Sequence, residues 1–170
     1  ACSGTNGNGY QGMRKNSLCV DIERLIRKGA SAQFFACYVN AAEYPENRAA
    51  YSKNGSAYQG KRNVYNWNRA YEAVLEMLEY AHQEASLALS IPGCLIYESA
   101  NEGKTAGILT VEEGGVLDGD LSRLDDLYQR DVRLITLTWN YKNCIGDPNS
   151  RNRDIMAKGL THFGKEAVEK

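Results

Sequence analysis

Ala106-Gly107-Ile108-Leu109-Thr110-Val111-Glu112-Glu113-Gly114-Gly115 is the stretch whose reading decides the fold. Its first six residues are apolar or small and read as a buried parallel strand. Two carboxylates and two glycines follow where that strand stops. In α/β enzymes the C-terminal ends of parallel strands carry the chemistry. The glycines are expected to let the backbone turn sharply and to let a ligand or metal come close. A solvated acidic turn is the plainer alternative. Side chains alternate along a strand, so only one of Glu112 and Glu113 can point into the mouth of a barrel. Glutamate is a hard oxygen ligand, suited to binding or bridging divalent ions.

Working outward, Ala32-Gln-Phe-Phe-Ala-Cys-Tyr-Val39 reads as a strand, and so does Val132-Arg-Leu-Ile-Thr-Leu-Thr138. The latter shows almost no alternation, which predicts a strand covered on both faces. A helical turn is expected over Asp21–Lys28, ended by Gly29. The strongest helix is expected from about Val64 to Leu89, with Trp67, Tyr71, Val74, Leu75, Leu78 and Ala81 on one face. Pro92-Gly93 breaks that pattern. A weak strand or turn is expected at Cys94–Tyr97, then a polar stretch to Lys104. A helix follows from about Asp120 to Arg130, capped by Asp118 or Asp120, with Leu121, Leu124, Leu127 and Tyr128 buried. Trp139 to about Gly159 reads as a loop, and a last helix begins near Leu160. Residues 1–17 and 43–62 read as loop.

Strands alternating with helices imply parallel βαβ units with right-handed crossovers. The loops before strands are short, and those after strands are polar and aromatic. That places function at the strands' C-terminal ends, as in a (β/α)₈ barrel, which needs about 250 residues. The fold expected is therefore α/β: a partial TIM-type barrel of about three to four βα units, with 170 residues forming one incomplete domain. The polar start at Ala1 and the stop at Lys170 inside a helical pattern add to the expectation of a fragment.

The net charge is −1, from 20 basic and 21 acidic residues, which offers no electrostatic footprint for nucleic acid or anionic membrane. No apolar run reaches the roughly 20 residues of a membrane span. Five cysteines are scattered without a Cys-x-x-Cys pair. They read as reduced thiols, which points to the cytoplasm. With only two histidines, His82 and His162, a site needing several histidines cannot be completed from this chain. Both are expected to be structural or solvated. Asn6-Gly-Asn-Gly9 lacks the strand and spacing of a phosphate loop. In Thr138-Trp-Asn-Tyr-Lys-Asn-Cys-Ile-Gly-Asp147, amide and aromatic side chains suit a ligand. They equally suit a hydrogen-bonded loop in which Asn143 and Asp147 satisfy turn amides.

Residues 105–164 resemble the membrane (renal-type) dipeptidase family of zinc peptidases, especially its bacterial members. The resemblance is carried by Gly107-Ile-Leu-Thr-Val-Glu-Glu-Gly-Gly115, Leu124-Asp-Asp-Leu-Tyr128 and Val132-Arg-Leu-Ile-Thr-Leu-Thr-Trp-Asn-Tyr-Lys-Asn143. Gly159-Leu-Thr-His-Phe-Gly-Lys-Glu-Ala-Val168 continues it, and Gln33-Phe34-Phe35 fits more loosely. The resemblance implies a barrel of the metal-dependent hydrolase type, two zinc ions and a dipeptide substrate. It makes Glu113, directly before Gly-Gly, the bridge between the zincs, with Glu112 its outward neighbour. Trp139 and Asn143 are expected to line the substrate pocket. Trp139 stands where many members carry His, which puts the substrate range in doubt.

The family's His-x-Asp zinc motif is absent, and its place is expected just upstream of Ala1. The later zinc histidines are expected beyond Lys170. The 170 residues alone are therefore expected to be inactive and to hold no zinc tightly. An unclosed barrel also exposes strand edges, so self-association as a homo-oligomer is expected. Two other functions fit the same scaffold: an amidohydrolase acting on a D-amino-acid derivative, cyclic amide or lactone, or a non-catalytic binding barrel.

Overall fold

A computed structural model of the chain describes residues 17, 19–29, 32–40, 65–85, 89–90, 96–139, 141–156 and 158–170. In chain order these form α1 (Ile22–Arg27), β1 (Ala32–Tyr38), α2 (Trp67–Ala85), β2 (Leu89–Ser90), α3 (Ile96–Asn101), β3 (Thr105–Glu112), a 3₁₀ turn (Gly114–Leu117), α4 (Ser122–Gln129), β4 (Val132–Thr136), α5 (Arg153–Met156) and α6 (His162–Glu169). The expected loops at 1–16 and 43–62, and the Asn6–Gly9 stretch, lie outside the described residues.

β3 is the centre of the sheet, as its unbroken apolar run requires. β1 runs parallel along one edge, with Phe35 opposite Leu109 and Tyr38 opposite Glu112. The other edge is shared end to end by β2, opposite Thr105 and Ala106, and β4, opposite Leu109–Glu112. Each of these pairings is parallel. Tyr38, Glu112 and Thr136 thus end three neighbouring strands side by side. Whatever follows them in sequence emerges on one face.

α2 packs its stripe of Ala70, Val74, Leu78 and Ala81 into a core with Cys37, Leu109, Val111, Val116, Leu127 and Ile145. Fully burying one such leucine or isoleucine contributes about 1.5–3 kcal/mol. Tyr71 joins α2 to α4 by donating its hydroxyl to Asp126 Oδ2 at 2.5 Å. Asp126 is also held by Arg130 Nε at 3.0 Å.

Several boundaries differ from the sequence reading, each for a local reason. α2 stops at Ala85, and Leu89 belongs to β2. A short apolar run fits helix or strand equally, and pairing with Thr105 settles it. α3 takes Ile96 and Tyr97 from the weak strand or turn expected at Cys94–Tyr97, whose first two residues lie outside the described residues. Its end is a Schellman turn: Gly103 has φ +68, its N–H donates to Ala100 O, and Lys104 N–H donates to Ser99 O at 2.8 Å. α4 begins at Ser122, and Asp120 Oδ1 accepts from Ser122 N at 2.8 Å, while Asp118 is in the left-handed region. Tyr128, expected in the buried stripe, is 63% exposed, with the Arg133 guanidinium over its ring. β4 ends at Thr136, and Leu134 is 47% exposed. It is not covered on both faces among the described residues. α5 interrupts the loop expected from Trp139 to Gly159, started by Asn152 accepting from Asp154 N.

Candidate active site

Glu113 follows the last residue of β3 and is completely buried. Its φ of +130 is a conformation that L-residues rarely adopt. The sharp turn leaving β3 is therefore made by Glu113 itself, and neither following glycine has a positive φ. The glycines serve close packing instead. A Cβ on Gly115 would lie 2.5 Å from Trp67 Cη2, and one on Gly114 would lie 2.6 Å from Ile145 Cδ1 and 2.7 Å from Leu137 O. Their space is taken by α2 and by the segment after β4. Glu112, last in β3, is half-buried.

The two oxygens of Glu113 have different surroundings. Oε1 accepts from Gly115 N at 3.0 Å and from Asn143 Nδ2 at 2.7 Å. Oε2 is equally buried and has no hydrogen-bond partner among the described residues. Burial pushes the carboxyl above the usual carboxylate range, and the bonds from Asn143 and Gly115 pull it partway back. Leaving a buried carboxylate oxygen unpaired costs on the order of 1–3 kcal/mol. That atom suits a cation. A two-oxygen bridge between cations needs Oε1 to accept one beside, or in place of, its present donors.

Asn143 is buried against Glu113, not displayed on an open face. Its Nδ2 also donates to Leu137 O at 2.9 Å, and its Oδ1 accepts from Ile145 N at 2.8 Å and Gly146 N at 3.1 Å. Asp147 Oδ2 accepts from Lys158 N and Gly159 N. Both side chains thus satisfy turn amides, the plainer of the two sequence readings. The Asn143–Glu113 contact links residues 30 apart, and no local pattern announced it. Trp139 is half-buried, edge-on to Tyr38 at 5.3 Å between ring centroids. Tyr65 stands against both Trp67 and Tyr141, at 5.6 and 5.1 Å. These rings come from the last residue of β1, from the segments that follow β1 and β4, and from the start of α2.

Other titratable groups are occupied elsewhere. His82 Nε2 lies 3.2 Å from Arg130 O and 3.7 Å from Asp131 Oδ2, and His162 is exposed beside Glu166. Cys19, Cys37 and Cys144 are free thiols, and Cys37 is a buried core residue. Among the described residues no three His, Cys, Asp or Glu side chains cluster to hold a metal. Glu113 therefore fits as one ligand of a metal centre, and the described residues do not complete the set. No described helix is long and apolar enough to cross a membrane.

A buried carboxylate just past the C-terminal end of a parallel strand lies where (β/α)₈ barrel enzymes place their active sites. The profile of the membrane dipeptidase family, peptidase family M19, matches residues 5–170, and the chain belongs to that family. Two solved structures are similar to it. One, titled dipeptidase AC and described as a metallopeptidase of family M19, superposes with a TM-score of 0.61 at 16% identity, over 88% of this chain and 43% of its own. The other, the probable dipeptidase PvdM from Pseudomonas aeruginosa, gives 0.59 at 19% identity, over 96% and 38%. The fold is part of a (β/α)₈ barrel. The chain spans less than half the length of either structure. No curated protein matches it.

Proposed function

We propose that this chain is part of a zinc-dependent dipeptidase and that Glu113 is one of its metal ligands. The observation that carries the reading is the Glu113 carboxylate, wholly buried with Oε2 lacking a partner among the described residues. Membership in the membrane dipeptidase family supports a metallopeptidase reaction on peptide substrates. When bound, a zinc pair supplies an activated water at neutral pH and polarises the scissile carbonyl.

The residues of this chain hold and orient. Glu113 offers Oε2 to a cation, and its negative charge offsets part of the metal charge. Gly115 N and Asn143 Nδ2 keep Oε1 in place. Glu113 is not the general base, because a carboxylate committed to metal has no free oxygen to take a proton. Trp139, packed on Tyr38, forms part of the apolar wall on the substrate side. Among the described residues no second metal-ligating cluster stands beside Glu113, so the other zinc ligands of this reading lie outside them.

The test is Glu113→Gln in the full-length protein. Zinc content, read by atomic absorption, and dipeptide hydrolysis should fall together. Full activity in that variant overturns the assignment.

A further inference from the structure

We propose that Asn143 is a positioning residue for Glu113: it pins Oε1 and so fixes how the carboxylate presents Oε2 to a cation. This rests on the reading of Glu113 as a metal ligand. The side-chain amide has two N–H donors and an oxygen with two lone pairs, and all four are used. Nδ2 faces two acceptors, Glu113 Oε1 and Leu137 O, while Oδ1 faces two donors, Ile145 N and Gly146 N. Turning the amide over would set its oxygen against both acceptors, so only one orientation fits. At 6% exposure the group has little access to water to replace a lost bond.

Without Asn143, Glu113 keeps, among the described residues, only the bond from Gly115 N, two residues along the same backbone. One bond leaves the carboxylate free to rotate about that contact. The second comes from the loop after β4, and two anchors on separate segments define a plane. An amide with every hydrogen bond used within the protein has none left for a substrate. Its effect therefore runs through Glu113. Such supporting partners of metal ligands typically contribute about 10–100-fold in metal affinity.

Asn143→Ser in the full-length protein tests this, with zinc alone as the probe. Serine keeps a hydroxyl that can accept from the turn amides and removes the donor to Glu113. The zinc dissociation constant, measured against a competing chelator, should rise about 10–100-fold. The visible bands of the cobalt-substituted protein should change shape. In metal-free protein the Glu113 carboxylate infrared band, assigned by difference from Glu113→Gln, should shift. A variant with lowered melting temperature but an unmoved infrared band, cobalt spectrum and zinc affinity would show that Asn143 only holds its turn, and would overturn the proposal. Wild-type protein that takes up no zinc would refute the ligand reading of Glu113, while the infrared band still decides whether Asn143 fixes the carboxylate. If Asn143→Ser does not fold, Asn143→Thr carries the same hydroxyl with more buried volume and gives the same readings.

Discussion

Gly164→Ala sets two physical effects of opposite sign against each other. Gly164 is in the first turn of α6, where alanine would favour the helix by up to about 1 kcal/mol. Its Cα faces the chain segment after β4. A Cβ built there would lie 2.0 Å from Ile145 O and 2.9 Å from Ile145 C. An ordinary carbon–oxygen contact is about 3.3 Å, so α6 must move away by about 1.3 Å. The obstacle is backbone, which cannot rotate aside. That movement stretches the bonds docking the helix: Thr161 N to Ile145 O at 2.8 Å and Thr161 Oγ1 to Cys144 O at 2.6 Å. Overpacking costs about 1–3 kcal/mol, and each weakened hydrogen bond adds about 0.5–1.5 kcal/mol. Less the helix gain, the net destabilisation is about 1–5 kcal/mol. With a urea slope of about 2 kcal/mol/M, the unfolding midpoint should fall by about 0.5–2.5 M. Ile145 N is bonded to Asn143, so zinc affinity should weaken as well. A midpoint equal to or above wild type would mean that α6 does not rest on Ile145 and would refute the argument.

Leu127→Ala removes a fully buried side chain from the core beneath α4 and should cost about 2–5 kcal/mol in urea unfolding; a loss under about 1 kcal/mol would place Leu127 outside the core. Tyr71→Phe deletes the hydroxyl that, with Arg130, holds the Asp126 carboxyl below its ordinary range against opposing burial. A carboxyl depressed in the folded state stabilises above its unfolded value, about pH 3.9, and that contribution fades as pH falls through the folded value. The stability gap between wild type and Tyr71→Phe should therefore be open at pH 7 and close below about pH 4. An equal gap at both pH values would show that the ionised carboxylate is not what Tyr71 serves.

Where the sequence was legible, one physical signal dominated. The apolar runs of β1 and β3 have no helical period, and the buried positions of α2 recur at three and four residues. Glu112 ends β3 while Glu113 already turns out of the strand at φ +130, so strand alternation did not separate them, and resemblance to the family singled out Glu113. The α3 terminus was readable in principle, since Gly103 before Lys104 is the left-handed position of a helix end. β2 was not, because two residues gain their strand character only from Thr105 and Ala106 across the sheet. The glycines after Glu113 were read as room for a ligand, yet Trp67 and Ile145 fill that room from distant segments. Asn143 showed its turn chemistry locally, while its contact with Glu113 exists only once β3 and β4 lie side by side.

The backbone of Glu113, at φ +130, has a consequence for how this chain drifts under mutation. Three costs meet at that residue: a strained main chain of about 1–3 kcal/mol, a desolvated acid, and an oxygen without a partner among the described residues. Glycine at that position would relieve all of them at once. If Glu113 is a metal ligand as proposed, selection for folding and selection for a cation ligand pull position 113 in opposite directions. Asn143 opposes that drift, because a glycine at 113 would leave its buried Nδ2 without the Glu113 acceptor, a cost of about 1–3 kcal/mol. Position 113 therefore changes most easily together with position 143.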